Sequence, residues 1–143
     1  MVIFFNNMLK KYCLKLNKEN VDGTEASFLN NNIQVKNGKF FARLYDKRDA
    51  FSFQIVNYPN LSGNIPKRTS YGVYISQILR YYTSCMEYSD FIDRCIVLSE
   101  KLLDQNYEKT TLRYTLKKTL TCYPEITGKY SVSFDKMCCD LNY

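Results

Sequence analysis

The sequence predicts an α+β chain: a β-rich N-terminal region built round one hairpin, then a small bundle of three to four helices. Three observations carry this. Asn37-Gly38 sits between two runs of alternating residues, the strongest short hairpin signal. After Thr69-Ser70 the apolar period changes from that of a strand to that of a helix. Two of the three prolines, with Gly63, fall in 57–66, between the two patterns.

The elements follow in order. Residues 2–18 fit either a helix, through Phe4, Met8, Tyr12 and Leu16, or a strand, through Tyr12, Leu14 and Leu16. Residues 17–27 are turn-like. From Ser27 the pattern is extended, and 32–36 and 39–45 should pair round Asn37-Gly38 as a hairpin spanning 32–45. Phe41, Arg43 and Tyr45 would share one face of the second strand, and Phe40, Ala42 and Leu44 the other. Phe51, Phe53 and Ile55 alternate with polar residues in a short extended piece. "NYPNLSGNIP" at 57–66 is a hinge loop, its Tyr58 and Ile65 held extended by the prolines that follow.

Helical spacing then runs over about 71–86, with Val73, Ile75, Ile78, Leu79, Tyr82 and Met86 on one face. Ser89 is the expected cap of a second helix ending near Asn106. Thr110 or Thr111 should cap a third, which Pro124 stops, and a last short helix is expected from Ser133 to Leu141. The chain thus divides into a β-rich 1–66 and a helical 67–143.

Composition narrows the function. An apolar fraction of 45% suffices for a core. Residues 1–70 hold 11 Lys/Arg against 5 Asp/Glu, and 71–143 hold 9 against 9, so the whole net charge of +6 lies in the first half. That asymmetry suits a polyanion partner or simply a solvated surface. The six cysteines (13, 85, 95, 122, 138 and 139) include no C-x-x-C pair, and the expectation is reduced thiols acting as small core hydrophobes. "MVIFFNNMLKK" is too short an apolar run for a secretion signal or a membrane span, so an intracellular protein, nuclear or cytoplasmic, is expected. There is no histidine, phosphate-binding glycine loop or nucleophile elbow, so no enzyme acting on its own is expected, and no cofactor or metal. Asp46 and Asp49 are candidate metal ligands, but their alternation with Lys47 and Arg48 favours local ion pairs.

The run from "ASFLNNNIQVKNGKFFARLYDKRDAFSF" through "QIVNYPNLSGNIPKRTSYGVYISQILRYY" resembles the segment that follows the polymerase palm in reverse-transcriptase-like proteins of animal mobile elements. That family shows a phenylalanine-leucine-aspartate strand, an Asn/Asp-Gly hairpin, a strand ending in Tyr-Asp-Lys-Arg, a proline loop and a "YGVYISQL" helix. The similarity continues into "DFIDRCIVLSEKLLDQNYEKTTLRYTLKK", covers about residues 12–130, and is densest over 44–80. Penelope-like reverse transcriptases share the same order more distantly. Three positions depart from the pattern: Asn30 stands for an aspartate, Asn31 for an apolar residue and Asn106 for a glycine.

The resemblance implies palm-end strands followed by a thumb-like helical region. The two aspartates that hold polymerase metals lie upstream in that family, and nothing in residues 1–30 supplies them. It further implies that Lys47 and Arg48, at the junction, contact phosphates of an RNA–DNA or DNA duplex. The residues add a second candidate. Lys109, Arg113 and Lys117, spaced by four with Lys118 beside them, form a basic stripe next to inward-facing Leu112, Leu116 and Leu120, and no acid occurs between Glu108 and Glu125. The competing expectation is a small protein-interaction or structural domain with no nucleic-acid role. Self-association is also expected, through a sheet edge at 32–36.

Overall fold

The computed structural model describes residues 24–47, 51–52, 55 and 58–143. Expectations that fall on 2–18, Cys13, Arg48 and Asp49 lie outside them. The order is β1 (Glu25–Phe28), β2 (Asn31–Lys36), β3 (Lys39–Leu44), then five helices: α1 (Lys67–Ser84), α2 (Tyr88–Leu103), α3 (Lys109–Cys122), α4 (Glu125–Tyr130) and α5 (Phe134–Asp140). The α+β class and the order of hairpin then helices are as expected, with α4 an addition.

Asn37 and Gly38 both take positive φ, 51° and 73°, as a two-residue turn between twisted strands requires, and Val35 faces Phe40 across it. β1 adds to the other side of β2 in antiparallel register, Glu25 opposite Gln34 and Phe28 opposite Asn31. The expected edge at 32–36 is therefore corrected. β2 is the central strand, paired on both sides, and the outer strands are β1 and β3. The outer side of β3 is partly covered, because the Met86 N–H donates to the Ala42 carbonyl at 3.0 Å.

The alternation of faces within β3 is as expected. Register places Phe28, Ile33, Val35, Phe40, Ala42 and Leu44 on one face of the sheet. Leu44 alone of these is buried in the core; Phe28 is 67% exposed and Phe40 70%. The opposite face is polar apart from Phe41. There Asn32 and Gln34 donate to the Glu25 carboxylate and Arg43 pairs with it at 3.4 Å. The Asn32 bond foremost, then Gln34, lowers the Glu25 pKa. Of the extended piece expected at 51–55, the described residues Phe51, Ser52 and Ile55 belong to neither strand nor helix, and the rest lies outside the described residues.

The core lies between the helices. Tyr74, Ile78, Phe91, Leu98, Leu102, Leu112, Leu116, Ile126 and Met137 are almost wholly buried. α1 starts at Lys67, directly after Pro66, earlier than apolar spacing suggests, and ends at Ser84. Thr69 and Ser70 are inside it. α2 is preceded by Glu87 rather than capped by Ser89, and α3 by Glu108 rather than by Thr110 or Thr111. Ser133 caps α5 as expected, its hydroxyl accepting from the Lys136 N–H at 3.2 Å. α4 has a clear task. Lys129 donates to the carbonyls of Tyr82 (2.6 Å) and Cys85 (2.7 Å), and the Tyr130 hydroxyl to Cys85 O (2.8 Å), so α4 satisfies the C-terminal end of α1, which has no basic residue of its own in its last turn. The Tyr143 hydroxyl closes the bundle, 2.9 Å from the Tyr74 hydroxyl and 2.6 Å from Ser99 Oγ.

Cys85, Cys95 and Cys138 are buried unpaired thiols, as expected of core hydrophobes. Cys122 and Cys139 are exposed and correct that expectation for their positions.

Candidate nucleic-acid interface

The chain "KTTLRYTLKKTLTC" makes α3 two-faced. Leu112, Thr115, Leu116, Thr119 and Leu120 are its buried side. The two buried threonines cost little there, because each hydroxyl donates to the carbonyl one turn back, Thr115 to Thr111 at 2.7 Å and Thr119 to Thr115 at 2.8 Å. Lys109, Arg113, Lys117 and Lys118 are exposed on the other side, and no acidic residue occurs in the helix.

Several contacts fix where this face points. Tyr107, 3% exposed, donates from its hydroxyl to Ser70 O at 3.3 Å and meets the Tyr71 ring edge-on at 5.1 Å. The Glu108 N–H donates to the Tyr71 hydroxyl at 3.2 Å. The start of α3 is thereby pinned to the start of α1. Asn106 before it takes φ 67°, the left-handed conformation that ends α2.

The electrostatics of the face are one-sided. Glu108 is the acid nearest in sequence, and it accepts from the Thr111 hydroxyl at 2.9 Å. Among the described residues none of Lys109, Arg113, Lys117 and Lys118 forms a salt bridge, whereas Arg43 pairs with Glu25 and Lys136 with Asp140. Two of the four are organised by an aromatic ring. The Arg113 guanidinium and the Lys117 ammonium lie 6.0 and 5.9 Å from the centre of the Phe134 ring at the start of α5. Arg113 also neighbours Cys138, whose thiol pKa burial raises and the guanidinium pulls back. Neither Phe134 nor the exposed Tyr114 is singled out by sequence spacing. Tyr114 lies on the exposed side of the periodic pattern; Phe134 reaches α3 only through tertiary packing.

Lys47 is exposed at the end of β3, beside a groove of about 270 Å³ lined also by Leu29, Asn30, Tyr45, Asp46 and Arg80. No α3 residue lines it, so the two sequence candidates do not form one groove. A further groove of about 520 Å³ lies between β3 and α2, with Arg43 and Arg94 facing Asp46, Asp90 and Asp93. This mixture of signs gives it no preference for a polyanion. Among the described residues no helix is long and apolar enough to cross a membrane, and no three Cys, Asp or Glu side chains gather as a metal-ligand group.

The chain matches no protein-family model, no curated protein and no solved structure.

Proposed function

We propose that this chain is the palm-end and thumb-like part of a reverse-transcriptase-type protein, gripping an RNA–DNA or DNA duplex by its phosphates without reading sequence. In this reading it supplies grip and no catalytic carboxylates, and it works in a reducing nuclear or cytoplasmic compartment, which the buried thiols favour. The observation that carries it is the exposed face of α3, with four cations and no carboxylate paired to them. Lysine and arginine held this way release counterions on meeting a phosphate backbone, which is the sequence-independent term of binding. Lys47 is a second, separate contact at the end of β3.

The test is fluorescence-anisotropy titration of a labelled RNA–DNA duplex from about 50 to about 200 mM salt. Arg113→Glu with Lys117→Glu is expected to weaken binding at low salt about tenfold or more and to flatten the salt slope by roughly two units, one for each lost contact. Circular dichroism checks that α3 survives the change. If the wild type fails to bind at about 50 mM salt, or the double variant binds as well, the reading is wrong. One observation favours the alternative, a protein-interaction domain: Phe28, Val35 and Phe40 are exposed together on the apolar face of the sheet. Association through that face would persist in salt that abolishes phosphate binding.

A further inference from the structure

Tyr114 is the most exposed described tyrosine, at 68%. Several others that leave the core have partners, while Tyr123, the other exposed one, is 37% exposed at the end of α3. Tyr71 meets Tyr107, Tyr82 and Tyr88 meet Tyr130, and Tyr143 meets Tyr74 through its hydroxyl. The Tyr114 side chain has no ring contact and no hydrogen bond among the described residues. It stands on α3 within the basic face, with Lys117 and Lys118 one turn further along on either side of it. A large apolar ring left in water costs free energy, and here it sits at the centre of a field that attracts phosphate. Exposed aromatics interleaved with unpaired cations are the arrangement that binds single strands: cations follow the backbone and the ring takes a base. A fully paired duplex keeps its base faces stacked on one another and offers no such face to a tyrosine.

We propose that Tyr114 is a stacking platform for an unpaired nucleobase, so that α3 holds a single-stranded segment in addition to duplex backbone. This rests on the basic face being a nucleic-acid interface. Lys117 and Lys118 then contact the phosphates flanking the stacked nucleotide, while Arg113, oriented by Phe134, contacts the next along the backbone.

The experiment measures binding of a single-stranded oligothymidine and of a blunt duplex of equal length, both at low salt, to wild type, Tyr114→Leu and Tyr114→Phe. A second oligonucleotide carrying 2-aminopurine reports stacking directly through fluorescence quenching. Tyr114→Leu is expected to weaken single-strand binding about tenfold, the range seen when one base loses an aromatic partner, and to leave duplex affinity within about twofold. Tyr114→Phe, which keeps the ring, should retain both the affinity and the quenching. If Tyr114→Leu binds and quenches like the wild type, or weakens both ligands equally, the stacking platform is overturned while the phosphate-binding face stands. If the wild type binds neither ligand, both are overturned. Tyr114 is on the solvent side of α3, so Tyr114→Leu leaves the core intact, and matched thermal unfolding of the variants confirms that a lost affinity is not a lost fold.

Discussion

The sheet and the bundle are stabilised in different ways. Of the 18 buried apolar core residues among those described, Leu44 alone comes from the sheet; the other 17 lie between Tyr74 and Leu141. The bundle is held by burial. The sheet is held by two tight turns, by the Glu25 hydrogen-bond cluster and by its dock at Leu44, where Arg94 also donates to the Leu44 carbonyl at 3.3 Å. Its apolar face contributes little, since Phe28 and Phe40 stay largely in water and Val35 is only partly covered. Identical chemical changes in the two regions should therefore have different consequences.

The largest contrast comes from phenylalanine truncation. Phe91 is 1% exposed and stacks on Tyr130 at 4.9 Å. Phe91→Ala is expected to cost about 3–5 kcal/mol by urea denaturation, a large fraction of the stability of a chain this size. Phe40→Ala, on the exposed sheet face, should stay within about 0.5 kcal/mol of the wild type. Equal costs would show that something covers the sheet face in solution.

pH separates the regions next. Burial, the leading cause in each case, raises the phenol pKa of Tyr74, Tyr88, Tyr107, Tyr130 and Tyr143 and the thiol pKa of Cys85, Cys95 and Cys138, all in or around the helices. A folded pKa above the unfolded one gives stability that is complete below the unfolded value and lost as pH rises past it. The bundle should therefore weaken from about pH 8.5, as thiols begin to ionise in the unfolded chain, and more steeply above about pH 10. Lys129, whose pKa desolvation lowers, works in the opposite direction but is one group against eight. The carboxylates have the reverse sign in both regions, hydrogen bonds lowering the pKa of Asp140 in α5 and of Glu25 in the sheet, where it is the leading shift. The lowered pKa of Glu25 gives stability present above about pH 4.3 and lost as pH falls through its folded value. Urea midpoints of a reduced sample from about pH 7 to about pH 11, beside phenolate absorbance, test the alkaline limb. A flat midpoint across that range would contradict the burial of these hydroxyls.

The third contrast tests independence. Gly38 has φ 73° and open space where a Cβ would stand, so the leading cost of Gly38→Val is its backbone conformation. The cost should be about 1–2 kcal/mol. Amide hydrogen exchange will place it: β2 and β3 should lose protection while α2 and α3 keep theirs. Unchanged exchange throughout the sheet would remove the Asn37-Gly38 turn as its organiser, and equal loss in the helices would show one cooperative unit.

The same division explains what was legible in the sequence. Asn37-Gly38 fixes a hairpin by local turn chemistry, and the spacing of Leu112, Leu116 and Leu120 fixes both the buried side of α3 and, by difference, its basic side. β1 was legible only at its end, where the extended pattern starts at Ser27; its Glu25 and Ala26 fall in a stretch that reads as a turn, and they join the strand through pairing with β2 and through the Glu25 side chain. α4 is six residues long, too short for a period to show. Pro124 stops α3 as expected, yet with φ −63° and ψ −19° it already leads into α4, a position where proline loses no needed hydrogen bond. The ring of Phe134 beneath Arg113 and Lys117 follows from how α5 packs on α3, which no spacing within either helix encodes.

The smallest contrast concerns two residues other than glycine held in the left-handed region. Leu29, at φ 54°, lies in the turn between β1 and β2, and Asn106, at φ 67°, ends α2. For leucine that conformation crowds Cβ against the backbone, and its side chain, 80% exposed, recovers nothing by packing. Asparagine tolerates it better, and Asn106 gains a bond besides, its side-chain amide donating to Asn60 Oδ1 at 3.2 Å. That bond, together with Leu61 N–H to Gln105 O at 2.9 Å, ties the loop before α1 to the end of α2. Leu29→Gly should therefore stabilise the chain by about 1 kcal/mol, less the entropy glycine adds to the unfolded state. Asn106→Gly should change stability by less than about 0.5 kcal/mol, relief of conformation offset by loss of the Asn60 contact. Paired urea titrations measure both. A gain at Asn106 as large as that at Leu29 would mean that the Asn60 bond contributes nothing, and that the hinge loop is held by its backbone alone.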